Sequence, residues 1–407
     1  MGLHSVVITG IGLISALGGL EQSWRRLLNG ESGIRPYQPF PELPVRPLAL
    51  IDRVPSSLTT LTQFIVADAL ADADLQTPMP NCGVVIGSSR GCQASWEELA
   101  RAAAEPGSGG VGKLFSRPHS PWFKGETWLE TLPHQAAIAT ARQIGSRAPV
   151  IAPMAACATG IWAIARGFEL IQMGQCQRVV AGAVEAPITR LTLAGFDKMG
   201  ALAKTGAYPF DQRRDGLVLA EGGAVLVLES AELALNRGVP IYGQILGVGF
   251  SCDAYHVTTP KSSSKSAISA IQQCLDRSHL SPTEIDYIHA HGTGTRLNDE
   301  NEAQLIEYLF PHGVAVSSTK GATGHTLGAS GAMGIAFCLM ALKDQILPPC
   351  VGLGKPEFDL DLVTQARRHN VRQVLCWSFG FGGQNAIVAL GQSRFMSLKP
   401  LPMINDK

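Results

Sequence analysis

Residues 147–173 read RAPVIAPMAACATGIWAIARGFELIQM, and a change of period inside this stretch decides the fold. From Val150 to Ala156 the run is apolar, without the polar face of a surface helix, and reads as a buried strand. After Cys157 the residues Ile161, Ile164, Ala165, Phe168, Leu170 and Ile171 follow the period of a helix packed on a sheet. Cys157 therefore falls at a strand-to-helix turn. There the unpaired N–H groups and positive dipole end of a helix favour a thiolate and can lower the thiol pKa. The same N–H groups can hold an oxyanion on a carbonyl under attack. The other use of such a residue is as a buried structural cysteine.

Strands and helices alternate on both sides of this turn. SVVITG (5–10) reads as a strand closed by Gly10 and Gly12, and QSWRRLLNG as a helix stopped at Gly30. The Pro-rich segment 36–55 reads as a surface loop, followed by a helix near 59–73, the strand CGVVIGSS and the helix RGCQASWEELARAAA. Residues 105–127, rich in Gly, Ser and Pro, read as a loop or lid. RVVAGAVEA and GGAVLVLES are further strands. From Ile241 the alternation restarts, with strands near 241–250, 285–289, 314–318, 372–377 and 385–391 and helices over 264–278, 299–309 and 328–343. The alternation implies parallel sheets with helices on both faces. Two blocks of similar make-up, 1–240 and 241–407, suggest a duplicated α/β unit, although no residue-level repeat is visible. TGIGLISALG does not complete a dinucleotide fingerprint, because Ser15 stands at the third glycine position.

At 407 residues the chain is long for one ordinary domain. Charged residues make up 16% against a typical share of about 25%, too few to wet the whole surface, so a large oligomer interface is expected. A net charge of zero without a basic block argues against nucleic acid as a partner. The nine cysteines form no C-x-x-C pair, which points to reduced thiols and a cytoplasmic setting. The N-terminus lacks a signal-peptide layout, and no uncharged apolar stretch reaches the roughly 18 residues of a membrane span.

Three more segments carry polar residues where strands should end, which is where α/β sheets build sites. In IHAHGTGTRLNDENEA, His291 opens a Gly-Thr turn, and Asp299 and Glu302 begin a helix. In SSTKGATGHTLGASGAMG, Lys320 and His325 precede a small-residue helix. WSFGFGGQNA is a glycine-rich turn carrying Phe379 and Phe381. One Cys at a helix start with two loop His residues suits thioester chemistry.

Seven motifs in one order, VVITGIGLISALG, AACATG, YPFDQRRDGLVLAEGGAVLVLE, DAYHVTTP, HAHGTGT, STKGATGHTLGASG and SFGFGGQN, resemble the β-ketoacyl–acyl carrier protein synthases of type I/II, condensing enzymes of the thiolase-like group. The resemblance covers nearly the whole chain. It implies a duplicated thiolase-like unit layered α-β-α-β-α with mixed, mostly parallel sheets, Cys157 in the first half and both catalytic His residues in the second. It further implies decarboxylative condensation of an acyl thioester, held on Cys157, with malonyl–acyl carrier protein, elongating a fatty acyl chain by two carbons. His291 and His325 would donate hydrogen bonds to the malonyl thioester, with the Cys157 and Phe381 N–H groups as oxyanion hole and Phe381 as gate. Lys320 and Glu302 would orient the second histidine, with Asp299 in support. Thr293 and Thr295 would hold the phosphopantetheine arm, and Phe196 and Phe379 would line the substrate site. No metal or redox cofactor is implied, and the partners are the carrier protein and a second copy of the chain.

Three departures touch the acyl pocket and the carrier. The family's Gly-Thr-Gly-Ile-Gly-Gly loop reads GSSRGC, placing Arg90 beside the acyl tunnel. Arg90 then either pairs with Glu97 or Glu98 and faces solvent, or caps the tunnel or meets a polar group of the substrate. The segment 120–134 carries extra residues, and the helix near 59–73 lacks the basic residues often used to dock the carrier. Arg117 and Lys198, in segments that flank the entrance in the family, are the substitutes expected for docking. Other readings are a polyketide-type ketosynthase, which uses the same residues, and a non-catalytic partner like the chain-length factors, which lack the nucleophile present here. A metal site built on the His289-x-His291 pair lacks a carboxylate cluster. His256 and His279 suit structural hydrogen bonding.

Overall fold

The computed structural model describes residues 4–104, 127–260 and 264–393. Its frame is a mixed sheet of 12 strands. Numbering the strands of the first half in chain order, Val6–Ser15, Gly83–Gly87, Val150–Ile151, Arg178–Glu185 and Gly222–Ser230, the spatial order is 3-2-4-5-1. The second half, Gly243–Cys252, Tyr287–His289, Ala315–Ser317, Gln373–Gly380 and Gln384–Gly391, repeats that order, and Asp361–Leu362 adds outside Ala315–Ser317. The two first strands pair antiparallel, Val6 opposite Ile245 and Ile8 opposite Gly243, and join the halves into one sheet.

Parallel pairing is confined to the outer strands of each half, whereas the strands next to the seam are antiparallel. The parallel sheets implied by the alternation alone are corrected here, and the mixed sheet implied by the resemblance is present. Gln373–Gly380 and Gln384–Gly391 are linked by Phe381, Gly382 and Gly383 alone, too few residues for a crossover, and Gly382 and Gly383 take φ +80° and +76° to close a hairpin.

The helices Thr159–Gln172 and Ser330–Asp344 form the middle layer between the half-sheets. They cross closely because small residues meet: a Cβ on Gly160 would lie 2.5 Å from Ala332 N, and one on Gly331 2.8 Å from Ile161. Outside them, Leu58–Asp72 and Gln135–Ile144 cover the first half-sheet, and Lys265–Ser278 covers the second. The segment Leu327–Asp344, charged only at Lys343 and Asp344, is long and apolar enough to cross a membrane, but 89% of it is buried inside this fold. It is a core helix.

Four local expectations change. Val6–Ser15 runs straight through Gly10 and Gly12, which are glycines because the helix Leu58–Asp72 presses on them: a Cβ on Gly12 would sit 2.0 Å from the Ile65 carbonyl. The strand before Cys157 is only Val150–Ile151, since Pro153 has no N–H to continue the ladder. The Pro-rich segment contains a small hairpin, Arg35–Tyr37 with Arg46–Leu48, and buries Leu48, Ala49 and Leu50. The helix expected at 299–309 starts at Arg296. Residues 105–126, read as a lid, and Arg117 within them lie outside the described residues.

Candidate active site

The turn that carries Cys157 is held from three sides. Ala156 adopts φ +48°, a conformation that costs a non-glycine residue about 1–3 kcal/mol and persists only where its surroundings enforce it. Thr159 Oγ1 accepts from Ala155 N–H at 2.8 Å and donates to the Ala156 carbonyl at 2.7 Å. Ser378 Oγ donates to the Cys157 carbonyl at 2.8 Å. Gly380 has no side chain because a Cβ there would press on Ala155 O and Cys157 N at 2.9 and 3.1 Å. The helix Thr159–Gln172 begins two residues beyond Cys157, so the thiol stands at its N-terminus as the sequence implied.

His291 and His325 meet this turn from the second half. One ligand atom each of Cys157, His291 and His325 lies within 4.8 Å of the others, and the two imidazoles are edge to face at 5.3 Å between centroids. All three side chains are buried. Among the described residues this is the one group whose geometry would also suit a metal ion. The H-x-H alternative fails locally, because His289 turns away to Thr319 Oγ1 (3.1 Å) and Cys376 Sγ (3.9 Å).

Two buried carboxylates shape the loop that carries His291. Asp299 and Glu302, three residues apart, share the inner face of the helix Arg296–Leu309. Glu302 accepts from the N–H groups of His291 (2.7 Å) and Gly292 (2.5 Å) and from Asn298 Nδ2 (2.7 Å). Asp299 accepts from Gly294 and Phe210 N–H at 3.2 and 2.8 Å. Burial pushes both carboxyl pKa values up, against the pull of these donors and nearby cations. Lys320 Nζ donates to the His291 carbonyl, and Ser318 Oγ to the Gly292 carbonyl at 2.7 Å. Lys320 and Glu302 thus grip the first histidine's backbone, not the second histidine as expected. His325 is held by its own loop, with Leu327 N–H and Ser330 Oγ at 3.2 and 2.8 Å from its Nδ1. The Leu327 N–H requires Nδ1 to accept, so the ring proton sits on Nε2.

Burial, followed by the charge on Lys320, lowers both histidine pKa values well below the usual imidazole value, so both rings are neutral near pH 7. They are donors that need no added proton. Burial pushes the Cys157 thiol up to about 11, against the pulls of Lys320, Arg90 and a hydrogen bond from Phe381 N–H. The thiolate expected from the helix start is therefore corrected: Cys157 rests as a thiol beside two neutral imidazoles.

A cavity of about 350 Å³ opens onto Cys157, His291 and His325. Thr293 and Thr295, bonded to each other at 2.8 Å, line its wall with Phe379 and Phe196. Phe379 stands edge-on to His291 at 6.2 Å, and Phe381 stacks on Phe196 at 6.0 Å.

Residues 56–234 match the family Beta-ketoacyl synthase, N-terminal domain, and residues 242–354 the Beta-ketoacyl synthase, C-terminal domain. The 3-oxoacyl-[acyl-carrier-protein] synthase 2 of Staphylococcus aureus (strain COL) is 32% identical over 413 residues, covering 94% of this chain and 97% of that protein. The chain belongs to the β-ketoacyl synthase family. The 3-oxoacyl-[acyl-carrier-protein] synthase 2 of Rhizobium meliloti (strain 1021) is 34% identical, covering 95% of the synthase and 99% of that protein. In structure the synthase is similar, with a TM-score of 0.88 and 27% identity, to the ketosynthase complex of a type II polyketide synthase with its acyl carrier protein, bound to a hexaketide. That likeness covers 96% of the synthase and all of the other chain, and the thiolase-like condensing-enzyme fold follows from it.

Of the residues singled out in the sequence, Cys157, His291, His325, Phe379, Phe381, Phe196, Thr293 and Thr295 line one cavity, with Lys320, Glu302 and Asp299 directly behind it. Lys198 is exposed beside Met199 and Gly200 of the cavity wall. Arg90 is corrected: it does not pair with Glu97 or Glu98. Glu97 bonds instead to Gln93 Nε2 (2.7 Å) and Leu191 N–H (3.2 Å). Ser330, Ser378 and Asn298 were missed. Ser330 and Ser378 lie inside quoted motifs, but small polar residues there read as turn formers. His256 Nδ1 accepts from Thr258 and Thr259 N–H, the structural use expected of it.

Proposed function

We propose that this synthase condenses an acyl group carried on Cys157 with a malonyl thioester of an acyl carrier protein. The observation that carries the reading is the buried thiol facing two neutral imidazoles at the foot of a cavity. Cys157 Sγ attacks the incoming thioester, its proton passes to an imidazole, and the pantetheine thiol leaves protonated. The tetrahedral oxygen receives the N–H groups of Cys157 and Phe381. The malonyl thioester then enters the same cavity with its arm along Thr293 and Thr295. Its carbonyl oxygen accepts from His325 Nε2–H and from His291, so the enolate left by departing CO2 is stabilised away from water. Each such donor contributes roughly 3–4 kcal/mol. The carbanion attacks acyl-Cys157 and expels the thiolate, which is reprotonated.

Elongation of a fatty acyl chain by two carbons is the first reading. A polyketide-type reaction is the second, favoured by the structural likeness to the type II polyketide ketosynthase. Pairing with a second copy of the chain fits the low charge content and exposed apolar side chains such as Trp96, Met154 and Leu191. A non-catalytic subunit would have no use for the intact trio. Intact-mass analysis after incubation with an acyl carrier protein thioester should show one acyl adduct, lost in Cys157→Ala. An adduct that persists in that variant refutes the assignment, and condensation assays over primers of increasing length then read the chain preference.

A further inference from the structure

The two histidines are held by different means. His291 is fixed through its backbone, by Glu302 and Lys320, and its Nδ1 is buried without a hydrogen-bond partner. The His325 backbone is bridged to the segment 218–220, where its N–H donates to the Val218 carbonyl at 2.7 Å and its carbonyl accepts from Ala220 N–H at 3.1 Å. These bonds set where the loop stands, not which ring nitrogen carries the proton. At His325 that choice is made on the ring itself.

Nδ1 of His325 has two hydrogen-bond neighbours, Leu327 N–H at 3.2 Å and Ser330 Oγ at 2.8 Å. The amide can only donate, so Nδ1 accepts, and the serine hydroxyl, the closer of the two, must donate as well. Thr326 Oγ1 lies 3.2 Å from Ser330 Oγ and can supply a proton to the serine oxygen in turn; all three residues are buried. Ser330 also opens the helix Ser330–Asp344, so the positive end of that helix lies beside the ring and disfavours a charged imidazolium. Without the hydroxyl, the amide alone, at the longer distance, would oppose a proton on Nδ1.

We infer that Ser330 is a positioning residue for the condensation: its hydroxyl holds His325 in the one tautomer that presents Nε2–H to the malonyl carbonyl oxygen. This rests on the condensation reading above. Ser330 acts through His325 and bonds to neither Cys157 nor Phe381, so its contribution falls on the release of CO2 and the attack that follows, not on loading of the acyl group. Loss of one neutral hydrogen bond should slow that step by about five- to tenfold, whereas loss of the imidazole donor itself should slow it by about 10²–10³.

The test compares the wild-type synthase with S330A and S330T. In protein carrying isotope-labelled histidine nitrogens, magnetic resonance reads the His325 ring, assigned by its absence in H325A. Wild type should show the Nε2–H tautomer with a hydrogen-bonded Nδ1. S330A should move the Nδ1 signal toward that of a free acceptor, and S330T should restore it. In parallel, kcat for CO2 release from malonyl–acyl carrier protein should fall about five- to tenfold in S330A and recover in S330T, with KM and self-acylation of Cys157 unchanged. If S330T does not fold, S330C, a weaker donor, should lie between wild type and S330A. CO2 release by S330A within about twofold of wild type, or an equal fall in self-acylation, overturns the inference, as does an Nδ1 signal that S330A leaves in place. Because the ring signal is read without turnover, a wild type that releases no CO2 strikes the condensation reading, while the Nδ1 signal still decides whether Ser330 holds the ring.

Discussion

The substitution Glu302→Gln tests how the His291 loop is held. Glu302 accepts three hydrogen bonds, one at Oε1 from His291 N–H and two at Oε2 from Gly292 N–H and Asn298. A glutamine can keep its carbonyl oxygen at the Oε2 position, where two donors converge. Its NH₂ then faces the His291 N–H, so one bond to a charged acceptor is lost and two donors oppose each other. The lost bond is worth roughly 1.5–3 kcal/mol and the unpaired donor about 1–3 kcal/mol. Against this, a neutral side chain avoids the burial penalty that raises the pKa of Glu302. The net loss should be about 2–4 kcal/mol, within the roughly 5–15 kcal/mol of a typical fold, so the variant stays folded. The group set loose is His291, one of the two donors proposed for the malonyl oxygen. Decarboxylation of malonyl carrier protein should therefore fall by about 10²–10³, while self-acylation of Cys157 stays within a few-fold of wild type. Urea unfolding, CO2 release and adduct formation read the three quantities separately. Normal decarboxylation in a destabilised protein would show that the His291 loop does not depend on Glu302. An equal fall in acylation would show that the substitution acts on the whole fold.

The resting thiol gives a pH signature. With Cys157 pushed up to about 11, its alkylation by iodoacetamide should rise roughly tenfold per pH unit from 7 to 9, and a plateau below pH 8 would reveal a thiolate at rest. Lys198→Glu should raise KM for carrier-bound substrate more than for a pantetheine thioester, and the difference should fade with salt; equal effects on both substrates would exclude a docking role. Gly160→Ala places a methyl 2.5 Å from Ala332 N and should cost about 1–3 kcal/mol in urea unfolding, with Gly174→Ala as the strained but uncrowded control. Equal stability of the two variants would mean that the central helices can separate without loss.

The apolar periods and the motif order made the alternation, the nucleophile turn and the polar loops legible, because each is a local pattern. The misreadings involve partners remote in sequence. Gly10 and Gly12 look like strand ends, and only the helix Leu58–Asp72 crossing them explains their lack of side chains. Lys320 stands five residues before His325 and reads as its neighbour, yet its ammonium reaches back to His291. The helix start alone reads Cys157 as a thiolate, whereas the burial that governs it is built by residues far along the chain, Leu48, Leu50, Leu217, Leu219 and Leu327 among them. Arg90 could be weighed against Glu97 and Glu98 by spacing, but no spacing reveals that Glu97 accepts from the distant Leu191 N–H.

The seam between Val6–Ser15 and Gly243–Cys252 has a consequence for the order of events during synthesis. The first strand leaves the ribosome long before its partner across the seam exists, and the apolar flank of Thr159–Gln172 waits in turn for Ser330–Asp344. Throughout that interval the nascent chain carries a bare strand edge and an uncovered helix, the two surfaces most prone to wrong pairing. No arrangement of the first half alone can hide both. Translation speed across residues 240–344, and the chaperones present while they are made, therefore bear on how much active enzyme a cell obtains from each message.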